Sequence, residues 1–271
     1  MPTVLTIPLT APTPLFFDPA WPLEALFLEI LAGSGQARSG NRKERPQEAG
    51  RPNPYTLSPL WRSQQRGEPA RPDLKAVTYH WRVSILDDTL TPRFLAGLKA
   101  TETLTLGDTP LTVGKAVVKI SSYKEIARRS QAYAAAKPKA ARHINLQFLT
   151  PVILRRHRAP FPLPDPALVF RRYLTVWDAF APPRLWFNIN ILDGIEFHLG
   201  VIEHQLESRK VALAGGKPGT GFVGQVSYLV MAWEKLGTDF LAALQSLSRF
   251  SEFCGSGALT ERGLGQTRLS R

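Results

Sequence analysis

Two Gly-x-Gly pairs stand close to the C-terminus, Gly255 with Gly257 and Gly263 with Gly265, inside GSGALTERGLGQTRL. Glycines so spaced let backbone N–H groups meet an anion such as a phosphate. A dinucleotide fingerprint would need a strand before the glycines and a helix after them. The order here is the reverse. An apolar helical pattern (Phe240, Leu241, Leu244, Leu247, Phe250) precedes them, and only Leu264 to Arg271 follow the last pair's first glycine. No Gly-Lys-Ser or Gly-Lys-Thr occurs, so a Walker loop is excluded too. The stretch reads as helix, glycine loop, last strand. A plain turn takes one or two glycines. Four favour close approach by another molecule, and both readings stay open on spacing alone.

Other reactive residue types are sparse. The five histidines, His80, His143, His157, His198 and His204, have no metal-ligand spacing, and no Cys-x-x-Cys or His-Glu-x-x-His occurs. No cofactor or metal is expected. Cys254, the single cysteine, reads as a small buried residue at a helix end; its solitude excludes an internal disulfide and fits a reducing cytoplasm. Ser58 precedes Pro59 and lacks a Gly-x-Ser-x-Gly context, so it reads as a turn residue.

The chain has 271 residues and a formal net charge of +12. That excess of one sign points to a polyanionic partner. No stretch of roughly 18 uncharged apolar residues predicts a membrane span, and no signal-peptide pattern opens the chain. The charge is concentrated. Between Ser121 and Arg172 eleven Lys and Arg, Lys124, Arg128, Arg129, Arg155, Arg156 and Arg158 among them, face only Glu125 and Asp165. A second basic stretch runs from Arg38 to Lys75. Two such concentrations favour a binding surface over a merely solvated face.

The elements that position these residues repeat one scheme. TVLTIPL predicts a strand, and Leu23, Leu26, Phe27, Ile30 and Leu31 a helix. Residues 33–71 read as a long basic loop around a short element, YTLSPL. VTYHWRVSIL alternates, with His80 on its polar face; TPRFLAGLKA reads as a helix capped by Thr91, and LTVGKAVVKI as one strand. In the second half HINLQFL predicts a strand, DPALVFRRYLTVWDAF a helix capped by Asp165, and LWFNINIL, EFHLGVIEHQLE and GFVGQVSYLVMAW alternate as strands. His198 then faces away from the core. DFLAALQSLSRFSEF predicts a helix and LGQTRL the last strand. The expected fold class is α+β: two tandem ferredoxin-like (βαββαβ) domains, as in RNA-recognition modules, ending in a glycine-rich loop. The expected division is 1–122, a basic connecting segment 123–143, and 144–271 with the glycine loop at 255–265.

With those residues in view, FCGSGALTERGLGQTRL resembles the C-terminal glycine-rich loop of the CRISPR repeat-processing endoribonucleases, the Cas-six family. NPYTLSPLW, LQFLTPVILRR and GFVGQVSYLV resemble three further family elements in the same order. The resemblance implies binding to CRISPR repeat RNA, cleavage on the 3′ side of a repeat stem-loop, and retention of the guide RNA, in some members as a subunit of an interference complex. It implies metal-independent chemistry: the ribose 2′-OH attacks the adjacent phosphorus, giving a 2′,3′-cyclic phosphate and a 5′-OH. It implies RNA contacts at Gly255, Gly257, Gly263, Gly265, Arg262 and Arg268, beside the basic residues named above.

Many members use a histidine before the Ser-Pro-Leu element. Here no histidine lies between Gly33 and Leu60. The candidate catalytic residues are therefore Arg42, Lys43 and Tyr55, with His80 from the neighbouring strand. Arginine stays protonated and serves better to hold a phosphate than to accept a proton. The departure keeps a second reading open: a non-catalytic subunit that holds the guide RNA 3′ end.

Overall fold

The computed structural model describes residues 1–15, 20–33, 51–63, 76–157, 159–188, 190–213 and 218–270. Two antiparallel sheets each carry helices on one face. In the first half, β1 (Thr3–Ala11), α1 (Ala20–Ala32), β2 (Tyr55–Arg62), β3 (Val77–Ile85) and α2 (Leu90–Lys99) precede β4 (Thr103–Leu106), β5 (Thr109–Val113) and β6 (Val117–Ile120). The strand order is β2-β3-β1-β5-β4, with β6 also paired to β1. Leu5, Ile7, Leu9, Trp81, Val83 and Ile85 alternate toward the helices and pack with Phe27 and Phe94. Gly97 lets α2 pass close to α1, since a Cβ there would stand 1.9 Å from the Ile30 carbonyl oxygen.

The second half begins with α3 (Tyr123–Ala136) and α4 (Pro138–Ala141). Then come β7 (His143–Val152), the short ribbon β8 (Arg155–Arg156) and β9 (Ala159–Pro160), α5 (Pro166–Phe180), α6 (Ile191–His198), β10 (Leu199–Ala212), β11 (Pro218–Val230), α7 (Trp233–Cys254) and β12 (Thr267–Ser270). The sheet order β10-β11-β7-β12 is that of a ferredoxin-like unit. Its core joins Leu146, Phe148 and Tyr228 from the sheet to Trp177 and Phe250 from α5 and α7, and takes in Tyr123 and Ile126 of α3. Asp165 caps α5, its carboxylate accepting from the Leu168 amide at 2.9 Å, with Pro166 at the first helical position as read from the sequence. Among the described residues no helix is long and apolar enough to cross a membrane.

Several elements depart from the sequence reading. LWFNINIL is not a strand. The Asn188 side chain accepts from the Asn190 amide and its carbonyl from Ile191, and this local turn starts α6 where alternation predicted extended chain. Glu196 to His198 therefore end a helix, and the strand begins at Leu199. The strand predicted over GFVGQVSYLVMAW stops at Val230, and Trp233 opens α7. LTVGKAVVKI is two strands. Pro8 has no N–H for a continuous ladder, so β5 pairs Leu9 and Thr10 while β6 pairs Thr3 to Thr6. The α2 cap is Thr89 rather than Thr91, because the Asp87 carboxylate collects the Thr89 amide and hydroxyl and starts the turn two residues earlier.

Candidate nucleic-acid interface

All four loop glycines have positive φ, from 65° at Gly255 to 85° at Gly263. Their environment answers the question their spacing raised. The loop folds back on itself, with the Ser256 amide donating to the Gly265 carbonyl at 2.8 Å. It is then pinned to the end of β7: Gly265 N donates to Pro151 O, Ala258 N to Ile153 O and Gln266 N to Thr150 Oγ1. A Cβ on Gly265 would lie 1.9 Å from the Ser256 carbonyl oxygen, and one on Gly257 2.5 Å from that of Ile153. Close approach is thus required first by the protein's own backbone.

Beneath the loop, hydroxyls form a chain. Tyr173 and Ser256 stand 2.5 Å apart, Ser256 and Thr267 2.7 Å apart, and Thr267 donates to Gly265 O. Burial raises the pKa values of Tyr173 and of Cys254, the latter to about 12, so both remain protonated at neutral pH. Cys254 is a fully buried residue at the end of α7, as its place at a helix end suggested.

On its other side the loop meets the first half. Gly263 sits against Pro59, Gln266 Nε2 donates to Leu57 O at 2.9 Å, and Thr56 Oγ1 donates to Phe253 O at 2.9 Å. Ser58 accepts from the Arg82 amide, and the Arg82 guanidinium reaches Gln266 Oε1 and Glu252 O. Burial lowers the Arg82 pKa, with Arg268 acting in the same direction. Glu24 of α1 binds Tyr55 OH through one carboxylate oxygen and Arg262 Nε through the other. The Ser-Pro-Leu element, Thr150 and Pro151 at the end of β7, and the glycine loop, far apart in sequence, therefore meet at one seam. GFVGQVSYLV supplies β11 alongside, with Phe222 edge-on to Phe148 at 5.2 Å.

The candidate catalytic residues are dispersed. Arg42 and Lys43 lie outside the described residues. Tyr55 is buried, and desolvation together with Glu24 raises its pKa well above the ordinary phenol value. His80 is half-buried on the same face of β3 as Arg82, cross-strand from Trp61, and its Nδ1 has no hydrogen-bond partner among the described residues. His198 closes α6 instead of projecting from a strand.

Of the candidate RNA contacts, Arg155 and Arg156 form β8, exposed, at the tip of a ribbon whose turn residue His157 has positive φ. Arg156 also pairs with Asp165 and lies over the Phe161 ring at 4.3 Å. Arg158 lies outside the described residues. Lys124, Arg128 and Arg129 lie on α3, where Glu125 pairs with both arginines and is held down to about 2 by them. Arg268 is exposed on β12 and Arg262 half-buried. The sequence reading missed Glu24, Arg82, Gln266 and Tyr173, polar residues whose partners lie on distant elements. Among the described residues no group of three His, Cys, Asp or Glu could hold a metal.

Residues 146–267 match the family model for the CRISPR-associated endoribonuclease Cas6. The chain is similar to a Cas6 in a product complex at 24% identity and a TM-score of 0.74, covering all of this chain and 99% of that one. A Thermus thermophilus Cas6 structure matches at 21% identity and 0.69, covering 100% and 98% of the two chains. A Cas6-related protein from Pyrococcus furiosus matches at 12% and 0.57, covering 100% and 99%. No curated protein matches the sequence.

Proposed function

We propose that this chain is a Cas6 family member that binds CRISPR repeat RNA and processes it into guide RNAs; its motif series, the family-model match over residues 146–267 and its fold support the reading. One observation carries the reading: the four motif stretches, scattered through the sequence, assemble around a single seam in which the glycine loop bridges both halves. In this reading the two units are residues 1–122 and 144–271, and the basic segment 123–143 joins them while its α3 packs onto the second core.

The chemistry that fits is intramolecular. A ribose 2′-OH aligned in line with its phosphorus needs orientation and a stabilised phosphorane charge more than a strong base. Lysine and arginine side chains supply the charge. This reading assigns that charge to Arg42 and Lys43, which lie between the first helix and the Ser-Pro-Leu element in the sequence. His80, on the same sheet face as Arg82, is the imidazole this reading assigns to proton exchange with the reacting oxygens. Tyr55, buried and bonded to Glu24, positions the start of β2 and through Glu24 the Arg262 side chain. The sites for RNA in this reading are the outer rim of the glycine loop, at exposed Ala258 with Arg262 and Arg268 since the four glycines are buried, the β8–β9 ribbon with Arg155 and Arg156, and the exposed face of α3. The absence of a histidine between Gly33 and Leu60 favours one other reading, a guide-holding subunit without activity. Binding tests the shared core of both. The chain should retain a CRISPR repeat hairpin in preference to a hairpin of scrambled sequence; equal affinity for the two would remove the reading.

A further inference from the structure

The second sheet has one face turned away from its helices, and that face carries an ordered row of side chains. Leu146, Val226 and Leu206 point toward the helices, so their neighbours Gln147, Gln225 and Gln205 point to the opposite side. The register sets these three in line: Gln205 opposite Gln225, Gln225 opposite Gln147, and Gln147 opposite Arg268. The row crosses all four strands, about 14 Å from first to last at ~4.8 Å per strand. Gln147 is half-buried, and Gln225, Gln205 and Arg268 are exposed. Among the described residues, none of the three amides hydrogen-bonds to another group. The row ends at Arg268, two residues beyond Gln266, which makes the hydrogen bonds to Leu57 and Arg82 at the seam.

We infer that this row reads single-stranded bases of the bound RNA by hydrogen bonding as the strand approaches the seam. Amides and a guanidinium are the side chains that address base edges with paired donors and acceptors, and single-stranded RNA exposes those edges. Phosphate binding would call for a positively charged row. Three of these four side chains are neutral, and the basic clusters lie on other elements. RNA-recognition sheets of this topology hold two or three bases, commonly by stacking on aromatic rings. Here amides occupy the central positions, so discrimination between bases follows from donor and acceptor pattern. The inference rests on the RNA-binding function proposed above, and specifies which surface gives sequence preference.

The test is selection from a randomised single-stranded RNA pool by the full chain and by the variant Gln147→Ala/Gln225→Ala, with binding to the unselected pool followed across salt. The intact chain should enrich defined bases at two or three adjacent positions. The double variant should lose roughly ten-fold of that preference and keep the salt dependence of pool binding. A second variant, Gln225→Glu, replaces a donor-acceptor pair by acceptors only and should move the preference toward cytosine, whose exocyclic amine donates. Enrichment of the same motif by both variants, with both folded by circular dichroism, overturns the inference and leaves the RNA-binding function standing. Pool binding by the intact chain without base preference does the same. Failure of the intact chain to bind either the pool or a repeat hairpin overturns both.

Discussion

Glu24 and Arg262 lie 238 residues apart in sequence, and Arg262 Nε stands 3.1 Å from Glu24 Oε2. The pair ties the first helix to the last loop, and Tyr55 completes it from β2. Both side chains are about a quarter exposed, at 22% and 24%. The pair therefore falls between solvent-screened surface bridges and fully buried ones, and removing one partner should cost about 1–2 kcal/mol. A urea-denaturation cycle with Glu24→Gln, Arg262→Gln and the double variant should give a coupling of ~1 kcal/mol; strict additivity would mean that the pair is not a tie between the halves.

The loop glycines should not be equivalent. Gly265→Ala places a Cβ against the Ser256 carbonyl at positive φ and should destabilise the fold by at least ~2 kcal/mol. Gly263→Ala meets Pro59 N at 3.3 Å and should cost mainly the left-handed backbone penalty, about 1 kcal/mol. Thermal unfolding of the two variants ranks them, and a Gly263 variant less stable than the Gly265 variant would contradict the packing described.

Arg155→Ala/Arg156→Ala should weaken binding to every RNA and flatten the plot of log K against log salt by ~0.7 to 0.9 for each phosphate no longer neutralised. Asp165 already neutralises part of Arg156, so Arg155→Ala alone should carry the larger share. An unchanged slope in the double variant would take the β8–β9 ribbon out of the interface.

Alkaline pH should destabilise the chain. The folded pKa of Cys254 is raised from 9.0 to about 12 by burial, so its contribution is complete below about 9 and declines as pH rises toward about 12. Thermal midpoints should fall over that range, and Cys254→Ala should reduce the fall. An identical slope in that variant would assign it to the buried tyrosines Tyr55, Tyr123, Tyr173 and Tyr228, whose pKa values are also raised.

The sheets were legible because their strands alternate strictly: Val77 to Ile85 and His143 to Val152 each bury every second residue over most of their length. The Asp165 cap was legible because it too is a local signal. Asn188 was not, because its turn competes with an alternation that is equally regular in the sequence. The seam was half legible. Its glycines and the Ser-Pro-Leu element stand out as motifs, but no local pattern connects Arg82 with Gln266, or Glu24 with Arg262. Those partners are chosen by the topology that brings β3, α1 and the glycine loop together. The loop's internal hydrogen bonds are likewise a tertiary matter, since spacing alone cannot say whose backbone a glycine admits.

Cleavage is the central claim, and mapping the products of a labelled CRISPR repeat RNA incubated with the full chain in EDTA tests it most directly. The expected result is one cut on the 3′ side of the repeat stem, with a 2′,3′-cyclic phosphate on one product and a 5′-OH on the other. A rate that rises smoothly through pH ~6.5, the ordinary imidazole value, assigns the reaction to alignment and charge stabilisation. An inflection there, removed by His80→Ala with binding intact, assigns a proton-transfer role to His80. Cleavage only on addition of a divalent metal, or products ending in a 3′-OH, would contradict the mechanism. No product at any pH, with the hairpin still tightly held, would contradict the endonuclease assignment and leave the chain as a holder of guide RNA.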